Sequence, residues 1–192
     1  MTFEPIATER LTLRPLEARD RARLIKLANN WKVAKNLSKM PYPYTEAAAD
    51  WWLGKQDELW ASGQSVALAV TIDGELIGGI GVSVRDDRDD GEWELGYWLG
   101  EAYWNRGYAS EAALALRDRA FSALNLERIV AGHYADSHAS GRILSKLGFR
   151  YTREVLRHSL ARGADVQCLE MVLPRERWLE VKASAKSRET VG

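Results

Sequence analysis

The sequence predicts a mixed α/β domain of the α+β kind, with a mostly antiparallel sheet of about seven strands flanked by helices. Three observations support this fold class. Asp73-Gly74 is a strong hairpin signal between two β-rich runs, a strand–helix–strand unit follows in the middle, and Arg162-Gly163 marks another turn near the end. Hairpins join antiparallel strands and a crossover helix joins parallel ones, so we expect one parallel pair in a mixed sheet.

Composition limits the class of protein. The 192 residues, 46% hydrophobic, fit a single domain over 1–192 with a core from about 8 to 174 and a polar tail from about 184 to 192. Lys plus Arg and Asp plus Glu are equal at 27 each, which disfavours a general nucleic-acid binder. One cysteine, Cys168, excludes an intramolecular disulfide, and three scattered histidines argue against a metal site.

The chain has neither a signal-type apolar run at its start nor an apolar stretch approaching the roughly eighteen residues of a membrane span. We therefore expect a soluble, cytoplasmic protein that does not enter a membrane.

The first half of the chain alternates short helices with two strands. Leu11, Leu13 and Leu16 indicate a short half-buried strand. Helices are expected over 19–29, over 31–38 and from Thr45 to near Gly63, with a proline loop over 40–44. Strands are expected over 65–72 and 75–84, followed by a polar turn over 85–91.

The second half contains the strand–helix–strand unit. We expect a strand over 93–99, a helix over 109–124, a strand over 128–134, a helix over 140–147, strands over 149–160 and 165–173, and a helix over 174–183. Gly148 stands where a glycine commonly follows a helix. The parallel pair should be the strand that ends at Leu99 and the one that begins at Arg128.

The stretch from Glu94 to Ala113 is predicted to form a strand, a tight loop and a helix. Gly107 allows the backbone to approach a ligand closely, and the unpaired N–H groups at the start of the helix form an anion site. A pyrophosphate suits such a site, and Arg106 could contact it. Glu111, just inside the helix, would be a poor neighbour for a phosphate if it pointed forward. On the residues alone, a plain turn before a helix remains the alternative.

The stretch from Ala135 to Phe149 reads as a capped amphipathic helix. Asp136 or Ser137 would serve as its N-cap, and Ile143, Leu144 and Leu147 would form its buried face.

Together these two stretches resemble the GNAT acetyltransferases, in particular the branch of the ribosomal-protein N-terminal acetyltransferases RimJ and RimL. Residues 8–16 are similar to that branch's opening strand and residues 94–99 to its fourth strand. Residues 104–109 resemble the pyrophosphate loop Q/R-x-x-G-x-G/A, with Trp104 where Gln or Arg is usual, and residues 135–149 resemble the second CoA-contacting motif.

The resemblance spans Thr8 to about Leu173 and implies the GNAT fold, in which the parallel strand pair forms the CoA cleft. It implies direct acetyl transfer from acetyl-CoA, without a metal, to a primary amine such as a peptide N-terminus or a small amine. The residues expected to contact the cofactor are Tyr97, Trp98, Leu99, Asn105, Arg106, Gly107, Tyr108, Ala109, Ser110, Ser137 and Lys146.

Two positions depart from the family pattern. Ser137 replaces an Asn that usually contacts the pantetheine arm, and Leu144 stands where many members carry a Tyr that acts as general acid. These departures are what a non-catalytic acyl-CoA-binding module would show, and that module is the alternative to an enzyme.

Glu94 is the expected general base, acting through a water. Glu92 shares its strand face and is the alternative base or a substrate contact, although both carboxylates could simply be solvated. Ser140, and after it Ser137, is expected to return a proton to the CoA thiolate, unless these hydroxyls only cap a helix. Backbone N–H groups at the end of the 93–99 strand should stabilise the oxyanion.

Aromatic residues before and within the 45–63 helix are candidates for the acceptor site. Tyr42 and Tyr44 lie in the loop where this branch shapes that site, and Trp51, Trp52 and Trp60 could line it or belong to the core. The sequence does not select the amine, and its aromatic residues are compatible with a homodimer.

Overall fold

The computed structural model of the chain describes residues 4–85 and 91–189. Its strands are β1 (Ile6–Ala7), β2 (Thr12–Arg14), β3 (Ser65–Ile72), β4 (Glu75–Val84), β5 (Trp93–Leu99), β6 (Arg128–Tyr134), β7 (Arg150–Ser159) and β8 (Ala164–Pro174). Its helices are α1 (Arg21–Ala28), α2 (Trp31–Ala34), α3 (Glu46–Gly54), α4 (Gln56–Ala61), α5 (Tyr108–Ala123), α6 (His138–Lys146) and α7 (Arg175–Glu189).

The strands form one sheet in the order β1-β2-β3-β4-β5-β6-β8-β7. Every neighbouring pair is antiparallel except β5 and β6, so the predicted mixed sheet with one parallel pair is confirmed. The described residues contain eight strands where the sequence analysis expected about seven. The additional strand is β1, which has only two residues and pairs Ile6 with Leu13 and Ala7 with Thr12.

Several predicted helix ends were wrong. The helix expected from Thr45 to Gly63 divides after Gly54, because Gln56 Nε2 donates to the carbonyl of Trp52 at 2.8 Å and the backbone N–H of Lys55 is shared between Trp51 and Trp52. α2 ends at Ala34, well before residue 38, and α7 continues to Glu189, beyond residue 183. Most of the turn predicted over 85–91, and the last residues of the predicted tail, lie outside the described residues.

The two faces of the sheet carry different helices. α5, α6 and α7 pack on one face, where Leu95, Leu116 and Phe121 belong to the larger buried cluster. α1 and α3 pack on the other face, where Leu24 and Ala49 belong to a smaller cluster. Because side chains alternate along a strand, Leu95 and Tyr97 of β5 contribute to the larger cluster and Trp98 to the smaller one.

The parallel pairing of β5 with β6 extends over two residue pairs, Trp93 with Ile129 and Glu94 with Val130. From Leu95 onward β5 pairs with β4 alone, and from Ala131 onward β6 pairs with β8 alone. The sheet is therefore split at its centre, and alternate backbone N–H and C=O groups of β5 that do not face β4 point into the opening.

A buried arginine joins the two helices beside this split. Arg117 of α5 is 1% exposed, and its Nη1 donates to the carbonyl of Leu147 at the end of α6 at 2.7 Å. The carboxylate of Asp118 accepts from Arg117 Nε at 2.8 Å and offsets the charge. A cation at a helix C-terminus also interacts favourably with the helix dipole, so Arg117 fixes α5 relative to α6.

No helix within residues 4–85 and 91–189 is long and apolar enough to cross a membrane. In the same residues, His, Cys, Asp and Glu side chains form no group of three or more that could hold a metal ion.

A substitution at Trp178 tests whether α7 packs into the core. Its ring stacks on Phe121 at 4.9 Å between centroids, and its Nε1 donates to Asp118 at 2.7 Å. Trp178→Ala should destabilise the fold by about 3–5 kcal/mol, on the order of 10 °C in Tm by calorimetry. Leu179→Ala, at a position 52% exposed, is the control and should change Tm little. Equal effects of the two substitutions would contradict the packing of α7 described above.

Candidate active site

A cavity of about 750 Å³ occupies the split between β5 and β6. It is open to both faces of the sheet, because its lining includes Ser140 and Leu144 from α6 on one side and Tyr44 and Trp52 from the α1–α3 side. Such a cavity can admit two molecules from opposite faces of the sheet.

The loop that leads from β5 into α5 has the shape of an anion site. Asn105 and Gly107 have left-handed φ angles of 59° and 81°, and α5 begins at Tyr108. Trp104 Nε1 donates to the carbonyl of Leu99 at 2.8 Å and holds the loop against the end of β5. Backbone N–H groups in the first turn of a helix have no intrahelical acceptor and can bind anions, so this geometry is compatible with the predicted anion site.

Glu111 does not point toward this anion site. Its Oε1 accepts from Thr8 Oγ1 at 2.6 Å and from the backbone N–H of Arg10 at 2.8 Å, and its Oε2 accepts from Arg10 Nε at 2.7 Å. Burial acts against the charged form, but these hydrogen bonds hold the pKa of Glu111 below its ordinary value. The carboxylate is therefore turned away and neutralised by Arg10.

Arg10 also contacts the loop itself. Its Nη1 donates to the backbone carbonyl of Arg106 at 3.0 Å, and its guanidinium lies 4.7 Å from the centroid of the Tyr108 ring. Arg10 thus links the β1–β2 turn to the residues on both sides of Gly107.

Glu94 extends from β5 into the cavity. Its Oε1 accepts from Arg157 Nη1, and within the described part of the chain its Oε2 has no hydrogen-bond partner. The side chain is 25% exposed. One carboxylate oxygen is thus anchored, and the other is available to a ligand or a water.

Arg157 is itself held by a buried carboxylate. Glu170, 4% exposed, accepts from Arg85 Nη1 and Arg153 Nε at 2.6 Å each and from Arg157 Nη2 at 3.3 Å. Burial opposes ionisation of Glu170, but the arginines keep its pKa below the ordinary value. Burial also disfavours the charged form of Arg157, and Glu94 more than compensates, so the pKa of Arg157 is raised. This charged cluster fixes the position of the Glu94 carboxylate.

Tyr97 and Ser140 form a pair of hydroxyls on the α5–α6 side of the cavity. Tyr97 Oη lies 2.9 Å from Ser140 Oγ, and both residues line the cavity. Burial raises the pKa of Tyr97 to about 12, so its hydroxyl keeps its proton at neutral pH. The pair can donate hydrogen bonds to a developing negative charge.

Glu94 and Tyr97 point to opposite faces of β5, as their spacing requires. The structure brings Glu94, Tyr97, Trp98, Ser140 and Tyr44 together around one cavity. Asn105, Arg106, Gly107, Tyr108, Ala109 and Ser110 form the loop and the first turn of α5. Trp98 packs with the smaller cluster, on the face opposite Tyr97, and Leu99 lies outside the cavity lining.

Other predicted site residues lie apart from the cavity. Glu92 pairs with Arg128 at 2.8 Å, and Lys146 faces a separate pocket between α6 and the β7–β8 strands. Tyr42 packs edge-on against Trp31 at the surface.

Ser137 is the N-cap residue of α6, as one of the two predicted candidates, but the predicted capping hydrogen bond was wrong, because the Ser137 side chain makes none. Asp136, the other candidate, is occupied by Arg162, which donates to both of its carboxylate oxygens at 2.9 Å. The tertiary ion pair therefore replaces the local cap.

Sequence reasoning missed Arg10, Arg157 and Glu170. Arg10 and Glu111 are 101 residues apart, and Arg157 and Glu94 are 63 apart, so no local pattern joins them. The one available signal was that a buried strand, β8, contains Glu170, which needs cationic partners.

Comparisons with known proteins agree with this geometry. The sequence model described as Acetyltransferase (GNAT) domain matches residues 10–150. An uncharacterized N-acetyltransferase of Bacillus licheniformis is 33% identical over 150 residues, which are 77% of this chain and 83% of the relative.

Two solved structures share the fold. The acetyltransferase from Agrobacterium tumefaciens is 27% identical, with a TM-score of 0.71 over 91% of this chain and 96% of the other. RimJ from Mycobacterium smegmatis, solved in complex with CoA-disulfide, is 22% identical, with a TM-score of 0.74 over 91% of this chain and 89% of the other. The chain therefore belongs to the GNAT family and is an acetyl-CoA-dependent acetyltransferase.

Proposed function

We propose that the protein transfers the acetyl group of acetyl-CoA directly to a primary amine, with the two substrates entering the split sheet from opposite faces. The observation that carries this proposal is the cavity that contains Glu94 on one side and the Tyr97–Ser140 hydroxyl pair on the other. Direct transfer needs a proton acceptor near the amine and a hydrogen-bond donor near the leaving sulfur.

The loop before α5 would hold the pyrophosphate of acetyl-CoA. The left-handed Asn105 and Gly107 turn backbone N–H groups outward, and Arg106 supplies a positive charge beside them. Glu111 is turned toward Arg10, so its carboxylate would not repel a phosphate bound at the start of α5. The pantetheine arm would then run between β5 and β6, where unpaired strand groups can receive its amides.

Glu94 would act as the base on the acceptor side. Its free Oε2 accepts a proton from the attacking amine, directly or through a water, while Arg157 holds Oε1. The amine nitrogen bonds to the thioester carbon, and the carbon–sulfur bond breaks once the tetrahedral oxyanion collapses. β5 backbone N–H groups that face the split would stabilise that oxyanion.

Ser140, supported by Tyr97, would stabilise the departing thiolate by hydrogen bonding. Full proton transfer is not expected from this pair, because a Tyr97 hydroxyl with a pKa of about 12 is a weaker acid than an ordinary thiol. Solvent would supply the thiol proton after release.

An α-amine is the acceptor that this site fits best. Its pKa is about 7.7–8.0 against about 10.4 for lysine, so it needs little help to become neutral. The RimJ-like fold of the chain supports placing it in the branch of N-terminal acetyltransferases, and a structurally similar protein from Vibrio cholerae has been proposed to be a ribosomal-protein-serine acetyltransferase. A free small amine is the second candidate.

Acetyl-CoA should raise Tm by on the order of 5–10 °C at about 100 times its Kd, measured by thermal unfolding. In Arg10→Ala the loop loses its link to the β1–β2 turn, and we expect the Kd for acetyl-CoA to rise roughly tenfold. At the same acetyl-CoA concentration, the increase in Tm should then be about half that of the wild type. Arg19→Ala, an exposed arginine paired with Glu17, is the control and should keep the full rise. An undiminished rise in Arg10→Ala would remove Arg10 from the proposed site.

Glu94→Gln should lower kcat about 10- to 100-fold at pH 7 and less at pH 9, where an α-amine is already neutral. The amide keeps an oxygen for Arg157, so the fold and the acetyl-CoA-dependent rise in Tm should persist. Glu92→Gln is the matched control, since Glu92 lies outside the cavity lining. Normal turnover by Glu94→Gln, or a larger defect in Glu92→Gln, would refute the assignment of the base.

Ser140→Ala should lower kcat about tenfold or more, because hydrogen bonds to charged groups contribute about 1.5–3 kcal/mol. Ser137→Ala should turn over normally, since Ser137 does not line the cavity. Steady-state thiol release measures both variants, and the reverse order of effects would assign the thiolate contact to Ser137 instead.

A further inference from the structure

The acceptor side of the cavity is walled by large apolar side chains. We call this set the aromatic wall, and it consists of Met40, Pro41, Tyr44, Trp51, Trp52 and Trp98. Tyr44 is 6% exposed and packs with Trp52 and Trp98 in the smaller buried cluster, so this part of the wall is fixed.

The mouth of the cavity is apolar as well. Trp51 and Leu160 line the cavity although 64% and 53% of each residue is exposed. Large apolar side chains that stay exposed beside a cavity are typical of ligand-binding surfaces, because a bound apolar group removes them from water.

The charge of the lining argues against a polycationic acceptor. Among the described residues that line the cavity, Glu94 is the only carboxylate, and Arg157 already donates to it. Arg157 adds positive charge to the same lining. A second ammonium group would therefore be buried without a partner, which costs far more than it gains.

A glycine provides space beside the base. Gly96 shares its face of β5 with Glu94 and Trp98, and a Cβ built on it would meet no atom within 4 Å. A Cβ at this position would extend into open space within the cavity, so the space beside Glu94 is open to a substrate group.

We infer that the acceptor is a primary amine that carries one bulky apolar group, aromatic or branched aliphatic, and no second positive charge. The inference rests on the proposed function, since it concerns the amine at the same site. The apolar group packs against the aromatic wall and Gly96 while the amine faces Glu94. This chemistry could come from a peptide with a large apolar first residue or from a free arylalkylamine.

The test is kcat/KM by thiol release across matched acceptors at pH 8. One arm compares peptides that differ only in a first residue of Phe, Leu, Ala, Ser or Lys. The other compares 3-phenylpropylamine with propylamine and spermidine. We expect Phe and Leu peptides, or 3-phenylpropylamine, to exceed their small counterparts about tenfold or more, as apolar pockets discriminate by that order. The arm that shows the preference identifies the source of the amine.

Gly96→Val gives the structural readout. It should reduce the preference for bulky over small acceptors to near unity, because valine fills the space beside Glu94. Gly54→Val is the matched control, since Gly54 also has no atom within 4 Å of a built Cβ but lies at the end of α3, outside the cavity lining; it should keep the preference.

Two failures are distinguishable. Equal or better turnover of Ala, Ser or spermidine acceptors by the wild type would overturn the inference and leave acetyl transfer to amines intact. Absence of thiol release with every amine in both arms would overturn the proposed function, and the inference with it.

Discussion

The split between β5 and β6 is the constraint on which the site depends. Parallel pairing stops after Glu94 and Val130, so the two strands diverge and leave backbone groups without strand partners. A sheet tolerates such a gap only where a ligand or water can satisfy those groups. The gap persists because β4 and β8 pair with the outer sides of β5 and β6, and because Arg117 ties α5 to α6 beside it.

Two charge clusters adapt this opening to its chemistry. Glu170 and its arginines lie beneath one side and hold Arg157, which in turn fixes one oxygen of Glu94. Arg10 and Glu111 lie at the other end, where their pairing turns the Glu111 carboxylate away from the loop before α5. In both clusters, hydrogen-bonded pairing with arginines compensates the buried or half-buried charge. The carboxylates of Glu170 and Glu111 are therefore not available to repel an anion in the opening.

The alternation of β5 separates the functions of its residues. Tyr97 faces α6 and its hydroxyl partner Ser140, whereas Glu94 and Gly96 lie on the opposite face of β5, which they share with Trp98 of the aromatic wall. A thioester and an amine that approach from opposite faces would meet at the strand between them, which is why the proposed mechanism needs no covalent enzyme intermediate. In the proposed mechanism, the departures from the family at Ser137 and Leu144 would not leave the departing thiol without a hydroxyl partner, because Tyr97 and Ser140 are paired in the cavity lining.

The sequence by itself determined the mixed sheet, its parallel pair, the family and the loop around Gly107, because local strand, turn and helix patterns and short motifs indicate them once the rules for connecting strands are applied. Glu94 and Ser140 were also selected from the sequence, through their positions on β5 and α6. Only the tertiary structure decided that Arg157 anchors Glu94, that Arg10 withdraws Glu111, and that Arg162 takes Asp136 from the cap of α6. These contacts join residues 26 to 101 positions apart, and the energy of a charged pair depends on burial and distance, which folding sets and local sequence pattern does not.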